Sequence, residues 1–338
     1  MNPKAPLRSP LIRSTGPAFL PHALLAACLG VAATLAWGQS YPSKPVHVIV
    51  PFPAGGVVDT TARVLQPRLS EDLGQPIIVD NRPGAGGNIA ADVVAKAPPD
   101  GYTLLITTHG HAISPGLYKK LPFDAARDFA PITQIASSFL VLVSNPKLPA
   151  SSVKELLALA REKPGKLNFG STGLGAPPHL VGEIFKQTTG IDVVHVPYKG
   201  DAPMYQALLS GEVDFAFGPL GNAIQHIHSG RLRALGMTNP QRSPAIPEVP
   251  TMVEAGVPGF ELTGWLGLFA PAGTPQAVLE RVYTAMRKTI SDPAVAARFP
   301  ALGYEPVAST PQAFAERFKS DLALYARVIR EAHIPLQD

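Results

Sequence analysis

The stretch VHVIVPFPAGGVVDTTARVL, Val46–Leu65, decides the fold, because an apolar run, a proline and glycine break and a helical pattern follow one another directly. The run Val46–Val50 is mostly β-branched, which favours a strand buried in a parallel sheet. In the segment after the break, apolar residues recur at helical spacing, and Asp59 lies in the first turn, where the helix dipole favours a carboxylate. The stretch therefore predicts a strand, a glycine turn and a helix.

The break itself, here called turn 1, comprises Phe52, Pro53, Ala54, Gly55 and Gly56. The first amides of a helix have no acceptor within the helix, and glycines let a ligand approach the backbone, so turn 1 is a candidate anion site. The alternative is a tight turn without a ligand. Asp59 likewise has two interpretations, a residue that complements the helix dipole or a contact for a ligand amine.

A second copy of this design occurs in LNFGSTGLGAPPHLVGEIF, Leu167–Phe185. Its turn, here called turn 2, contains Ser171, Thr172, Gly173 and Gly175. The prolines that follow suit the first positions of a helix, and the two hydroxyls could cap that helix as well as donate to a ligand. His179 is either a residue near the ligand or a packed neutral histidine. Two such turns predict two lobes that hold one anion between them.

The first forty residues have the pattern of an export signal. Basic residues precede an apolar run from Ala18 to Trp37, and small residues lead up to Gly38. We expect a signal peptide over residues 1–38 and a mature protein in the periplasm. The alternative is a lipid-attachment box at Leu25–Cys28, which would tether the protein through Cys28.

Charge and cysteine content exclude several classes of function. Removal of residues 1–38 takes three of the 29 basic residues and leaves 26 against 25 acidic residues, a net charge of +1, which argues against a nucleic-acid partner. The single cysteine, Cys28, leaves with the signal, so neither a disulfide nor a thiol nucleophile remains. About 300 residues are more than one core usually serves, and two lobes are expected.

Strand and helix patterns alternate along the rest of the chain, which predicts an α/β fold. We expect lobe 1 over residues 41–143 plus 265–338 and lobe 2 over residues 144–264. A third strand ends in the polar residues Thr108 and His109, and a later one, Val193–Val196, leads to Tyr198 and Lys199. In open parallel sheets ligands lie beyond the carboxyl ends of the strands, so these residues are further ligand candidates.

Eight segments, in order, carry a family resemblance. They are YPSKPVHVIVPFPAGGVVD, VDNRPGAGGNIAADVVAKAPPDGYTLL, LPFDAARDFAPI, FGSTGLGAPPHLVGEIF, VPYKG, GRLRALGMT, VPTMVEAGVPGFE and APAGTP. The chain resembles the extracytoplasmic solute receptors of the tripartite tricarboxylate transporter family, the Bug-type binding proteins. The resemblance implies a two-lobed, type II-like periplasmic binding fold, each lobe a sheet flanked by helices and hinged by crossing strands. It also implies that turns 1 and 2 grip an organic carboxylate.

One position departs from the family. Gly218 follows a predicted strand where many members have Asp or Asn, so the contacts to the far end of the ligand are an open question. The pairs His109 with His111 and His226 with His228 lack a third ligand of suitable spacing, and we expect no metal there. We also expect no cofactor.

Enzyme motifs are missing from the sequence: it contains no GxSxG, no GxxxxGK[ST] and no HExxH. We therefore expect a monomeric solute-binding protein that delivers a small organic carboxylate to a membrane permease. A ligand sensor for a signalling receptor and a secreted enzyme on the same scaffold are the alternatives. The sequence leaves the identity of the acid open.

Overall fold

The computed structural model describes Met1 and residues 41–338. The expected signal peptide, 1–38, and the alternative tether at Cys28 lie outside the described residues. Contacts gather Pro42–Asp338 into a single unit. None of the helices in this described part has the length and apolar character that a membrane span requires.

Strands and helices alternate as the sequence predicts. The strands are β1 (Val46–Val50), β2 (Ile77–Asn81), β3 (Thr103–Thr108), β4 (Phe129–Ser138), β5 (Leu140–Ser144), β6 (Asn168–Ser171), β7 (Val194–Pro197), β8 (Phe215–Pro219), β9 (Arg233–Met237), β10 (Gly264–Pro271) and β11 (Tyr304–Pro306). The helices are α1 (Val57–Leu73), α2 (Asn88–Ala95), α3 (Gly110–Leu117), α4 (Val153–Glu162), α5 (Pro177–Thr189), α6 (Asp201–Ser210), α7 (Leu220–His228), α8 (Gln276–Ser291), α9 (Pro293–Ala296) and α10 (Pro311–Glu331).

The described residues form two sheets, one in each lobe. The first has the order β11–β4–β10–β3–β1–β2, and the second has the order β7–β6–β8–β5–β9. In the first sheet β1 lies parallel between β2 and β3, and in the second β6 lies parallel between β7 and β8. Turn 1 follows β1 and turn 2 follows β6, so the two turns occupy equivalent places at the carboxyl ends of central strands.

The chain changes sheets twice in its described part. The first change falls at Phe139, because β4 ends at Ser138 in the first sheet and β5 begins at Leu140 in the second. This is earlier than the expected boundary at 143/144, since the apolar run after Phe139 pairs with β8 and β9 of the second sheet. The return to the first sheet comes with β10, which begins at Gly264.

The two lobes also touch through side chains. Leu180 and Ile184 of α5, a helix of the second lobe, pack into the apolar core that α3 and α10 form in the first lobe. Leu117, at the end of α3, lies so close to Gly175 that a Cβ at position 175 would collide with it. The second lobe is therefore packed against the first beside turn 2.

A buried carboxylate fixes the return crossing. Asp321 of α10 accepts a 2.8 Å hydrogen bond from Trp265 Nε1 and 3.0 Å hydrogen bonds from Arg317 Nε. The Arg317 guanidinium also donates to the carbonyl oxygen of Thr263 at 2.6 Å. Since Trp265 and Asp321 are both buried, this network holds the start of β10 firmly against α10.

The substitution Asp321→Asn tests this network. The amide would keep the shape of the side chain but lose the charge-assisted hydrogen bonds, so the free energy of unfolding should fall by about 1.5–3 kcal/mol. Urea denaturation measures this. Glu316→Gln, an exposed change on the same helix, should stay within about 0.5 kcal/mol of the wild type. Equal stability of both variants would show that the network contributes nothing.

Candidate functional site

Turn 1 is held by hydrogen bonds inside itself. Gly55 has a left-handed backbone with φ of +82°, which glycine adopts without strain. Its N–H donates to Asp59 Oδ2 at 2.8 Å, and the N–H of Gly56 donates to the carbonyl oxygen of Pro53 at 3.2 Å. Gly56 is the residue before α1 and has no side chain that could cap the helix. The first-turn amides of α1, from Val57 onward, therefore remain as donors.

Asp59 is a structural residue of turn 1. Besides Gly55, its carboxylate accepts hydrogen bonds from Arg63 Nε at 3.0 Å and from Asn81 Nδ2 at 2.9 Å. Burial raises the pKa of Asp59, but the hydrogen bonds from Arg63, Gly55 and Asn81 outweigh burial and hold the pKa below its usual value. Asn81 also donates to the carbonyl oxygen of Phe52 at 3.0 Å. These partners satisfy Asp59 within the protein, which favours the structural interpretation over a contact to a ligand amine.

Turn 2 shows the same internal bonding. Ser171 is fully buried at the end of β6, and its hydroxyl oxygen accepts a 3.2 Å hydrogen bond from the N–H of Gly173. The N–H of Gly175 donates to Nδ1 of His179 at 2.9 Å. Thr172 contributes its carbonyl oxygen, which accepts a 3.1 Å hydrogen bond from the N–H of Gly200. Pro177 and Pro178 then begin α5 and offer no N–H, so this helix start has two fewer donors than the start of α1.

Two stacked imidazoles support turn 2. The rings of His179 and His195 lie 3.8 Å apart and 11° from parallel, and Nε2 of His195 lies 2.6 Å from Oγ of Ser171. Burial, with the positive charge of Lys186 nearby, lowers the pKa of His179 to about 4. Burial, with His179 and Lys186 nearby, lowers the pKa of His195 to about 3. Both rings are therefore neutral near pH 7, and His179 accepts a hydrogen bond that an imidazolium could not accept.

Sequence reasoning missed His195 and Asn81. His195 is a lone histidine within the apolar run of β7, and the β6–β7 register places it beside Phe169, two residues before Ser171 along the strand. Asn81 is the last residue of β2, next to the end of β1. Each is a polar residue inside or at the end of an apolar strand, and this pattern could have marked both as candidates. The sequence does not show which residue each one contacts, because that depends on strand register.

A series of contacts links turn 1 to turn 2. Pro51, just before turn 1, lies against Gly87, and the neighbouring Gly86 lies beside the Tyr118 hydroxyl. Leu117, the residue before Tyr118, lies against Gly175 of turn 2. In addition, the side chain of Gln337 donates to the carbonyl oxygen of Leu174 in turn 2 at 3.1 Å. A continuous series of contacts thus connects turn 1 in the first lobe with turn 2 in the second.

The third predicted strand end lies at the crossing between the lobes. Thr108 ends β3, and the N–H of His109 donates to the carbonyl oxygen of Trp265 at 3.0 Å. Burial, with Arg317 nearby, lowers the pKa of His109 to about 4. His111 is separate: its ring stacks on Phe318 with centroids 5.5 Å apart, and burial lowers its pKa to about 3. The two histidines therefore occupy different aromatic surroundings and do not form a pair.

The remaining predicted residues lie around turn 2 in the second lobe. The Tyr198 hydroxyl donates to Glu212 at 2.9 Å, and Lys199 is exposed. Gly218 is buried, and a Cβ there would collide with the Tyr205 hydroxyl. In the described part of the chain no three His, Cys, Asp or Glu residues are grouped so as to hold a metal ion.

Known proteins share this architecture. The model of the family described as "Tripartite tricarboxylate transporter family receptor" matches residues 61–334. BugT of Bordetella pertussis is 37% identical over 313 residues, covering 92% of this chain and 96% of BugT. The structure of R. palustris Rpa4515 with adipate is 36% identical, with a TM-score of 0.75, and covers 88% of this chain and 100% of its own.

A further structure, MatC (Rpa3494) from Rhodopseudomonas palustris with bound malate, is 31% identical, with a TM-score of 0.70. It covers 86% of this chain and 100% of its own. The expected two-lobed α/β binding-protein fold is thereby confirmed.

The buried neutral histidines predict a loss of stability in acid. The pKa of His111 is about 3 in the folded state against about 6.5 unfolded, so between these values the unfolded chain binds more protons. The free energy of unfolding should therefore fall as pH drops from 6.5 towards 4. In urea denaturation across this range, His111→Phe should reduce the slope by up to about 1.4 kcal/mol per pH unit.

A matched control is His228→Gln, which changes an exposed histidine at the end of α7. This variant should keep the wild-type slope. An unchanged slope in His111→Phe would mean that His111 does not resist protonation in the folded state.

Proposed function

Since the chain belongs to the tripartite tricarboxylate transporter receptor family, we propose that it is a periplasmic receptor that captures a small organic carboxylate between its lobes and delivers it to a membrane permease. The observation that carries this proposal is the pair of turns, one at the carboxyl end of a central strand in each lobe, linked by contacts through Leu117 and Gly175. Adipate and malate in two related structures support a dicarboxylate as the ligand. The receptor works as a monomer, released from residues 1–38 and not tethered at Cys28.

The ligand carboxylate accepts hydrogen bonds from donors that have no acceptor within the protein. In lobe 1 these are the first-turn amides of α1, beginning at Val57, because no side chain caps that helix. In lobe 2 the Thr172 hydroxyl donates, together with turn 2 amides other than those of Gly173 and Gly175, which are bonded within the protein. Gly55 leaves turn 1 open, because no atom would lie within 4 Å of a Cβ at this position.

The energies agree with micromolar binding. Three or four charge-assisted hydrogen bonds at about 2 kcal/mol each give roughly 6–8 kcal/mol, and a micromolar complex corresponds to about 8.2 kcal/mol. The entropy lost when the ligand is ordered weakens binding relative to this hydrogen-bond sum, and the burial of apolar surface strengthens it. A ligand that touches both lobes stabilises the closed arrangement, which a permease can then distinguish from the open one.

Gly55→Leu tests turn 1. The side chain would enter the open space at the turn, so the dissociation constant for adipate or malate in isothermal titration calorimetry should rise at least about tenfold. Gly74→Leu is the matched control, since Gly74 ends the same helix with φ of +79°, against +82° for Gly55, and also meets no atom within 4 Å. Both variants carry the same backbone strain. Wild-type affinity in Gly55→Leu would contradict this placement of the ligand.

Gly175→Ala tests turn 2. Its Cβ would collide with Leu117 and displace the turn, so carboxylate affinity should again fall at least about tenfold. Gly190→Ala, at the far end of α5, has φ of +66° against +72° for Gly175 and open space around it, and should bind as the wild type does. If Gly175→Ala and Gly190→Ala bound a carboxylate equally well, turn 2 would not belong to the site.

A further inference from the structure

A half-open cavity of about 440 Å³ lies between α6 and α7 in the second lobe. Its walls include Asp201, Ala202 and Tyr205 from α6 and Asn222 and His226 from α7. This volume falls within the roughly 300–1,000 Å³ that small-molecule sites occupy. All of its lining residues come from one lobe, and none belongs to turn 1 or turn 2, so the cavity is separate from the proposed carboxylate site.

Asp201 is the acidic group of this cavity. Its Oδ1 is buried and has no hydrogen-bond donor among the described residues. Burial raises the pKa of the Asp201 carboxyl, and a hydrogen bond from the Asn222 side chain to this carboxyl opposes the rise. The helix dipole at the start of α6 favours a negative charge at this position, but it does not provide the missing donor. Asn222 meets part of this carboxylate's capacity to accept hydrogen bonds, and a cationic donor in the cavity would meet more of it.

None of the other residues that line the cavity carries a charge near pH 7, and a positive charge lies outside the lining, on Arg231. Arg231 Nη2 lies 2.7 Å from His226 Nδ1, and burial together with the Arg231 charge lowers the pKa of His226, so this ring is neutral. The Tyr205 hydroxyl donates to the carbonyl oxygen of Pro219 at 3.1 Å, which leaves its ring as an apolar wall. Ala202 and Leu209 extend the apolar surface. The cavity therefore offers one negative charge next to hydrocarbon.

Gly218 makes this arrangement of Tyr205 possible. The Tyr205 hydroxyl occupies the place where a side chain at position 218 would begin, so any larger residue there would displace the ring from the cavity wall. Gly218, where many family members have Asp or Asn, thus allows the Tyr205 ring of α6 to lie beside Asp201.

We propose that this cavity binds a small organic cation, a primary ammonium on a short hydrocarbon chain, with the ammonium on Asp201 and the chain against Tyr205 and Leu209. A single carboxylate matches one positive charge, whereas Ca²⁺ and Mg²⁺ need several oxygen ligands. The aromatic face of Tyr205 adds a favourable surface for a cation. The proposal stands independently of the carboxylate function, because Asp201, Tyr205 and Leu209 belong to neither turn 1 nor turn 2.

The test is a titration of the purified protein with n-butylammonium chloride, followed by NMR chemical shifts or calorimetry at constant ionic strength. We expect saturable binding in the millimolar range or tighter, and no saturable response to n-butanol, which has the same chain without the charge. Asp201→Asn should raise the dissociation constant at least tenfold. Asp192→Asn, which removes an exposed carboxylate from the same lobe, should leave it unchanged.

A second variant separates loss of charge from loss of fold. Ala202→Leu keeps Asp201 but fills the cavity from an exposed position, and it should also weaken n-butylammonium binding at least tenfold while circular dichroism and thermal unfolding match the wild type. Equal affinity in the wild type and Asp201→Asn, no saturable binding at millimolar concentration, or equal binding of n-butanol would each overturn the proposal. Carboxylate titration of the wild type is a separate measurement, so the two proposals can fail independently.

Discussion

The buried Asp321 carboxylate fixes the place where the chain returns to the first lobe. It accepts hydrogen bonds from Trp265 at the start of β10 and from Arg317, which in turn donates to Thr263 on the crossing segment. The N–H of His109, at the end of β3, donates to the Trp265 carbonyl oxygen. Strand β10, the end of β3 and α10 are thereby joined into one body.

In the second lobe, two neutral imidazoles hold turn 2 in place. His179 accepts the Gly175 amide hydrogen, and His195 stacks on His179 and contacts Ser171. A protonated His179 could not accept from Gly175, so the observed form of turn 2 belongs to the neutral state. Burial provides that state, because it penalises the charged form of each ring. Packing and hydrogen bonding thus account for both histidines beside turn 2.

The sequence predicts the local features of this fold well and the distant contacts poorly. β-Branched runs, glycine breaks and first-turn prolines place β1, turn 1, β6 and turn 2 correctly, since each depends on neighbouring residues. The partners of these turns come from other strands: Asn81 reaches Asp59 from β2, and His195 reaches Ser171 from β7. Such pairs depend on strand order and register, which a single sequence does not determine. The same limit explains the early sheet change at Phe139, because an apolar run pairs equally well in either sheet.

The glycines of the two turns have a different role from the one their amides suggest. Gly55, Gly173 and Gly175 all donate within the protein, to Asp59, Ser171 and His179. Since these amides are already bonded, their contribution is to fix the backbone at positive φ before a ligand arrives, and a preorganised site loses less entropy on binding. The donors for the proposed anion would then be groups other than these three amides. In lobe 1 the uncapped amides of α1 are available, whereas in lobe 2 the two prolines at the start of α5 leave that helix with fewer first-turn amides. The two lobes are thus equivalent in topology but unequal in chemistry, and a carboxylate held between them would contact a helix end on one side and a loop on the other.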